Sequence, residues 1–124
     1  MVRYLKVLNV TDLMEGSHLV GYIQVGKGVD LSSVGAVRSM GKSVCGEAGF
    51  RVVSEHHYKF SKPDGITFCF ILAESHMVVH TWPEERKLFF DVFSCHRRIN
   101  PKKMLLILSR NFGGSVKKAA GMRY

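Results

Sequence analysis

The stretch Gly65-Ile-Thr-Phe-Cys-Phe-Ile-Leu-Ala-Glu-Ser-His-Met-Val-Val-His-Thr-Trp-Pro-Glu84, continued by Lys87-Leu-Phe-Phe-Asp-Val-Phe-Ser94, decides how this chain folds. Ile66 to Ala73 is apolar on both faces, which predicts a central strand. Met77 to Trp82 and Lys87 to Ser94 alternate as half-buried strands, and Pro83 with the three charged residues Glu84, Glu85 and Arg86 forms the surface turn between them. Two neighbouring strands joined by so short a turn pair antiparallel.

Outward from this centre the pattern is regular. Phe50 to Phe60 is a strand candidate on the amino-terminal side, and His18 to Gln24 is another, closed by Gly26-Lys-Gly28. Between them, Val34, Val37, Met40, Val44 and Cys45 recur at three- and four-residue spacing, which predicts an amphipathic helix capped by Asp30 and ended by Gly46 and Gly49. Asn100-Pro101 starts a second helix, with Met104, Leu105, Leu108 and Phe112 as its buried stripe up to Gly113-Gly114. The order strand, helix, three or four antiparallel strands, helix predicts an α+β fold, a two-layer α/β sandwich with helices packed on one face of an antiparallel sheet. No linker or repeat divides the chain, so residues 1–124 read as a single domain.

Of 18 Lys and Arg residues against 10 Asp and Glu, giving a net charge of +8, eight basic side chains and no acid lie in residues 96–124. No nucleic-acid-binding motif accompanies them, so a solvated surface explains the excess better than nucleic acid does. Cys45, Cys69 and Cys95 are odd in number and widely spaced, which implies neither a disulfide framework nor a cysteine zinc site and suits a reducing compartment. The amino end lacks a long apolar core and a small-residue cleavage site, and no run of 18 apolar residues occurs, so the expectation is a cytoplasmic protein without a membrane partner or metal.

Chemistry concentrates where Glu74-Ser75-His76 interrupts the apolar strands and His80 returns in the middle of the next one. Titratable residues wedged between buried strands need partners or a purpose, although a lone strand histidine is more often a satisfied core residue. With the hairpin turn centred near Glu84-Glu85, cross-strand partners sum to about 169 or 170, which puts Cys95 opposite Ser75. Ser75 and His80 are five apart and face opposite sides of a continuous strand, so Ser75 is expected in a turn or bulge before the strand proper.

The run Ala73-Glu-Ser-His-Met-Val-Val-His-Thr-Trp-Pro-Glu84 closely resembles the self-processing site of the bacterial and archaeal S-adenosylmethionine decarboxylases, whose pattern is Glu-Ser-His, three residues, His-Thr-Trp-Pro-Glu. Asp91-Val-Phe-Ser-Cys95 is similar to that family's Asp-x-Phe-[Thr/Ser]-Cys, and Gly16-Ser-His-Leu19 to its amino-terminal Gly-x-His-Leu strand. The resemblance spans roughly residues 16 to 112.

Carried over position by position, it implies a proenzyme of polyamine (spermidine) biosynthesis that cuts itself between Glu74 and Ser75. The products are a β chain of residues 1–74 and an α chain of residues 75–124 headed by a pyruvoyl group made from Ser75. His80 takes the place of the processing base, and Thr67 that of a hydroxyl donor to the cyclic intermediate. The ketone forms a Schiff base with the substrate amine and supplies an electron sink. Cys95 falls on the family's proton donor, a role a thiol with an ordinary pKa of about 8.5 can fill. Phe60 falls about where an aromatic ring stacks on adenine, and Glu84 where a glutamate contacts the ribose. The family acts as a dimer of protomers with active sites near their interface.

Two other readings stay open. A pyruvoyl enzyme of this fold accepts arginine or ornithine if its pocket selects them, and an unprocessed homologue could bind an anionic partner through residues 96–124.

Overall fold

The computed structural model describes residues 2–5, 16–73, 75–95 and 99–123. The strands are β1 (Val2–Leu5), β2 (Ser17–Val25), β3 (Val52–Ser61), β4 (Asp64–Leu72), β5 (Ser75–Trp82), β6 (Lys87–Ser94) and β7 (Gly114–Arg123). Helix α1 is Val34–Ala48 and helix α2 is Pro101–Phe112; a single 3₁₀ turn, Pro83–Glu85, joins β5 to β6. The strands form one sheet in the order β1-β7-β2-β6-β5-β4-β3. Every described pairing is antiparallel except that of β1 with β7.

The predicted two-layer α+β fold is the observed one, with the sheet larger than expected. β7 follows Gly113, whose φ of 69° ends α2 in the left-handed conformation and turns the chain back along β2. Its alternation is weak because Lys117 and Lys118 are both exposed while Ala119 and Gly121 are buried. Three of the eight basic residues of the tail, Lys117, Lys118 and Arg123, therefore lie on a sheet strand; Arg97 and Arg98 lie outside the described residues. The first helix starts three residues later than Asp30 suggests. Ser33 is the N-cap, its side chain accepting from the Ala36 N–H, and Asp30 instead accepts from the Ser32 N–H in the turn before it. Asn100 and Pro101 open α2 as expected, with the Asn100 side chain accepting from the Lys103 N–H.

Strand alternation divides the sheet into two unlike faces. Leu19 and Ile23 of β2, Phe68 and Phe70 of β4, Met77 and Val79 of β5, and Leu88, Phe90 and Val92 of β6 form the core with Val37, Val44, Met104, Leu108 and Phe112 of the helices. Burial of such side chains contributes about 1.5–3 kcal/mol each. α1 sits close because Gly41 has no side chain: a Cβ there would lie 2.4 Å from the Phe70 ring. Among the described residues the other face carries no helix, and Val20, Ile71, Trp82 and Phe89 on it are each 38–40% exposed. The catalytic candidates lie on or beside this open face.

Candidate active site

Ser75 is the first residue of β5, paired with Leu72 of β4 and Ser94 of β6. The Leu72–Ser75 pair leaves only positions 73 and 74 for the connection between β4 and β5 at the rim of the sheet. Glu74 lies outside the described residues. The expectation that Ser75 sits in a turn or bulge before the strand proper is thus corrected: it is the first residue of β5, paired in regular register on both sides. Its hydroxyl reaches back to the Ala73 carbonyl at 3.4 Å. The cross-strand sum is 169, as expected, but the partner of Ser75 is Ser94 and Cys95 is the next residue on. Three serines consequently stand in line across the sheet, Ser75, Ser94 and Ser17, the last with a buried hydroxyl that has no hydrogen-bond partner among the described residues.

At the other end of β5, Thr67 and His80 are direct cross-strand partners, and Thr67 Oγ1 lies 2.9 Å from His80 Nδ1. The hydroxyl fixes the ring and leaves Nε2 for other work. Phe60, Thr67, His80 and Trp82 line a depression of about 440 Å³. A second depression, of about 400 Å³, carries His80 and Trp82 together with Glu85, Lys87 and Phe89. Glu84 stands exposed on the 3₁₀ turn, while its neighbour Glu85 faces the depression.

Thr81, within the same sequence motif, is structural. It is 4% exposed; its hydroxyl accepts from the Ile66 N–H at 3.0 Å and donates to the Leu31 carbonyl at 2.9 Å. That bond ties the loop before α1 to the β4–β5 pair, and it explains why a polar residue is tolerated in the core.

The three cysteines differ. Burial pushes the Cys45 thiol up to about 12 and also raises Cys69. Both face loss of acidity, and neither adjoins Ser75. Cys95 is half-buried, carries a free thiol and follows the residue opposite Ser75.

A cluster that sequence spacing does not announce lies beside Ser75. On the open face, Phe93 of β6 has His18 of β2 on one side and His76 of β5 on the other, each as its direct cross-strand partner. Both imidazoles lean diagonally to Asp91, two residues back along β6: His18 Nε2 is 2.6 Å and His76 Nε2 3.1 Å from the same carboxylate oxygen. Numbers 18, 76 and 91 become neighbours only through the order β2-β6-β5.

The assembled groups fall into two sets at the two ends of β5. Ser75 and Cys95 stand at the rim; His80 stands five residues along β5, with Thr67 beside it on β4 and Phe60 on β3, so that Ser75 and His80 are roughly 16 Å apart at strand spacing and on opposite faces.

A model of the family described as S-adenosylmethionine decarboxylase matches residues 17–123. The chain belongs to the S-adenosylmethionine decarboxylase family. Among curated members, the S-adenosylmethionine decarboxylase proenzyme of Syntrophomonas wolfei is 30% identical over 87% of this chain and 85% of its own. That of Methanococcus aeolicus is 32% identical over 70% of this chain and 74% of its own. The match to the proenzyme of Clostridium botulinum, 34% identical, takes in 49% of this chain and spans about half the length of that relative, 52%. The crystal structure of the adenosylmethionine decarboxylase from Aquifex aeolicus shares the fold, with a TM-score of 0.68 over 90% of this chain and 89% of that one at 24% identity. The family match runs from β2 to β7 and so contains both sets of site residues and the His18–Asp91–His76 cluster.

Proposed function

We propose that this chain is an S-adenosylmethionine decarboxylase proenzyme that cuts itself between Glu74 and Ser75. The single observation that carries the reading is the Thr67–His80 pair on the wall of an aromatic-lined depression, with His80 on the strand whose first residue is Ser75, in a chain of this family. Family membership and relatives whose names include "proenzyme" support both the reaction and the self-processing.

The self-cleavage uses this chain's own groups. The Ser75 hydroxyl adds to the Glu74 carbonyl carbon, the C–N bond breaks, and an ester replaces the amide. Removal of the Ser75 α-proton then expels the upstream chain as a carboxylate. Hydrolysis of the remaining dehydroalanine releases ammonia and leaves a pyruvoyl group at residue 75. The position of Ser75 suits this, since it opens β5 at the sheet rim with its hydroxyl turned back along the chain, 3.4 Å from the Ala73 carbonyl one residue before the bond to be cut.

Once formed, the pyruvoyl group supplies an electron sink for loss of CO2, which the Thr, His, Cys and aromatic side chains of this site lack. Cys95 holds the proton returned to the substrate carbon. Phe60 and Trp82 offer flat apolar surface to an adenine, which favours a nucleoside-bearing substrate over arginine or ornithine.

One copy of the chain keeps His80 and Thr67 roughly 16 Å of strand away from Ser75, so the reading includes a dimer. A second copy packed on the open sheet face would cover Val20, Ile71, Trp82 and Phe89 and set its own Thr67, His80 and Glu84 against the rim where the first copy's Ser75 and Cys95 stand. The three free cysteines suit a cytoplasmic setting. The test is CO2 release from S-adenosylmethionine, arginine and ornithine by purified protein; turnover of a free diamino acid alone would overturn the substrate assignment.

A further inference from the structure

Among the described residues, His18, His76 and Asp91 place one nitrogen or oxygen donor each within 4.8 Å of one another. We propose that these three residues form a binding site for a divalent late first-row metal ion, with Zn²⁺ as the reference occupant, taken by the two imidazole Nε2 atoms and the Asp91 carboxylate.

The donor set suits that chemistry. Two imidazoles and one carboxylate are borderline and hard ligands in the combination that zinc, cobalt and nickel accept, and three protein ligands leave positions for water. The scaffold is stiff. The ligands come from β2, β5 and β6, three hydrogen-bonded neighbours in the middle of the sheet, so their Cα atoms are fixed by the ladder rather than by loops. Phe93 packs between the two rings, stacked with His76 at 5.9 Å and edge-on to His18 at 5.8 Å, which restrains both against rotation.

Both Nε2 atoms already converge on a single oxygen, at 2.6 and 3.1 Å. In the metal-free cluster each hydrogen bond to Asp91 uses an Nε2 proton. A cation entering between them takes the two nitrogen lone pairs instead, so the protons shift to Nδ1 through solvent and the carboxylate turns from acceptor to ligand. The three side chains are 30–39% exposed, which leaves an entry path from the open face. The site adjoins Ser75, since His76 is the next residue. A bound ion would therefore tie β5, the strand that begins at Ser75, to β6 and β2. The proposal stands on this geometry and does not depend on the decarboxylase reading.

The experiment is Zn²⁺ and Co²⁺ titration of the full-length chain by calorimetry and by visible absorption of Co²⁺. It is run alongside His18→Ala, His76→Gln and Asp91→Asn, with Cys95→Ala and His56→Ala as controls. The expected result is saturable binding of one ion per chain that weakens at least about tenfold in each ligand variant and is unchanged in both controls. A second readout needs no variant: Zn²⁺ should protect His18 and His76 from carbethoxylation while His56 and His57, exposed on β3, continue to react. Absence of saturable binding, binding that survives all three ligand substitutions, or loss on Cys95→Ala overturns the proposal. So does equal protection of all four histidines.

Discussion

Thr67 Oγ1 lies 2.9 Å from His80 Nδ1, two directly paired residues on adjacent strands of the open sheet face. The hydroxyl holds the ring in one orientation, which is what a base needs before it can take a proton at Nε2. Thr67→Ser keeps the hydroxyl and should cleave within a few-fold of the parent. Thr67→Val and His80→Ala should slow cleavage, the latter by about 10²-fold or more. Time courses of chain cleavage on denaturing gels measure both; a Thr67→Val chain that matches the parent would remove the hydroxyl from the account.

The separation of Ser75 from His80 predicts complementation between chains. Ser75→Ala chains should remain whole, and His80→Ala chains should cleave slowly alone. Mixed by co-expression with distinguishable tags, the His80→Ala chain should be cut when its partner is Ser75→Ala, because that partner supplies an intact His80. If the His80→Ala chain gains nothing from the mixture, the dimer-spanning site is wrong.

Cleavage and turnover should also separate. Cys95→Ala is expected to process normally but to lower decarboxylation by about 10²- to 10⁴-fold. Cys45→Ala should leave the chemistry intact and act only through packing, since Cys45 is 1% exposed with its thiol pushed up to about 12. Cleavage and CO2 release measured on the same samples distinguish the two. Loss of processing in Cys95→Ala would mean the thiol acts earlier than stated.

Much of this was legible in the chain. Apolar runs at residues 66–73, 77–82 and 87–94 announced the central strands, and Asn100-Pro101 announced α2, because alternation and capping are local signals. β7 was hidden because it satisfies its backbone against β2 with small and charged residues rather than with an alternating apolar face. The Glu-Ser-His and His-Thr-Trp-Pro-Glu runs located both ends of β5. They did not distinguish Thr81, a core hydroxyl, from His80 beside it, because burial depends on what packs from Leu31 fifty residues earlier. The pairing of Ser75 with Ser94 rather than Cys95 turned on one residue of register. His18, His76 and Asp91 meet only through strand order, which no spacing along the chain encodes.

Packing gives a prediction independent of catalysis. A Cβ at Gly41 would fall 2.4 Å from Phe70 Cζ, deep in the α1–sheet contact. Gly41→Ala should therefore destabilise by about 1–3 kcal/mol despite alanine's better helix propensity. Denaturant melts of the uncleavable Ser75→Ala background measure it, and an unchanged or raised midpoint would contradict the close packing.

Acid should loosen the corner where Asp64 meets Ser32. The Ser32 hydroxyl, and after it Lys59, hold the Asp64 carboxyl below its ordinary value. A carboxylate whose pKa is lowered by folding contributes stability above its unfolded value, and that contribution is lost as pH falls through the folded value. Asp64→Asn should thus narrow its stability gap to the parent as pH falls below about 4. A gap that widens in acid, followed by thermal melts from pH 7 to 3, would reverse the sign.

The central claim is that the chain cuts itself before Ser75, and intact mass spectrometry of the purified protein tests it most directly. The account predicts two species, residues 1–74 and residues 75–124, the second lighter than its sequence by the conversion of serine to pyruvoyl and reactive toward carbonyl reagents. A single 14.0 kDa chain that resists hydroxylamine and never yields two fragments would contradict it.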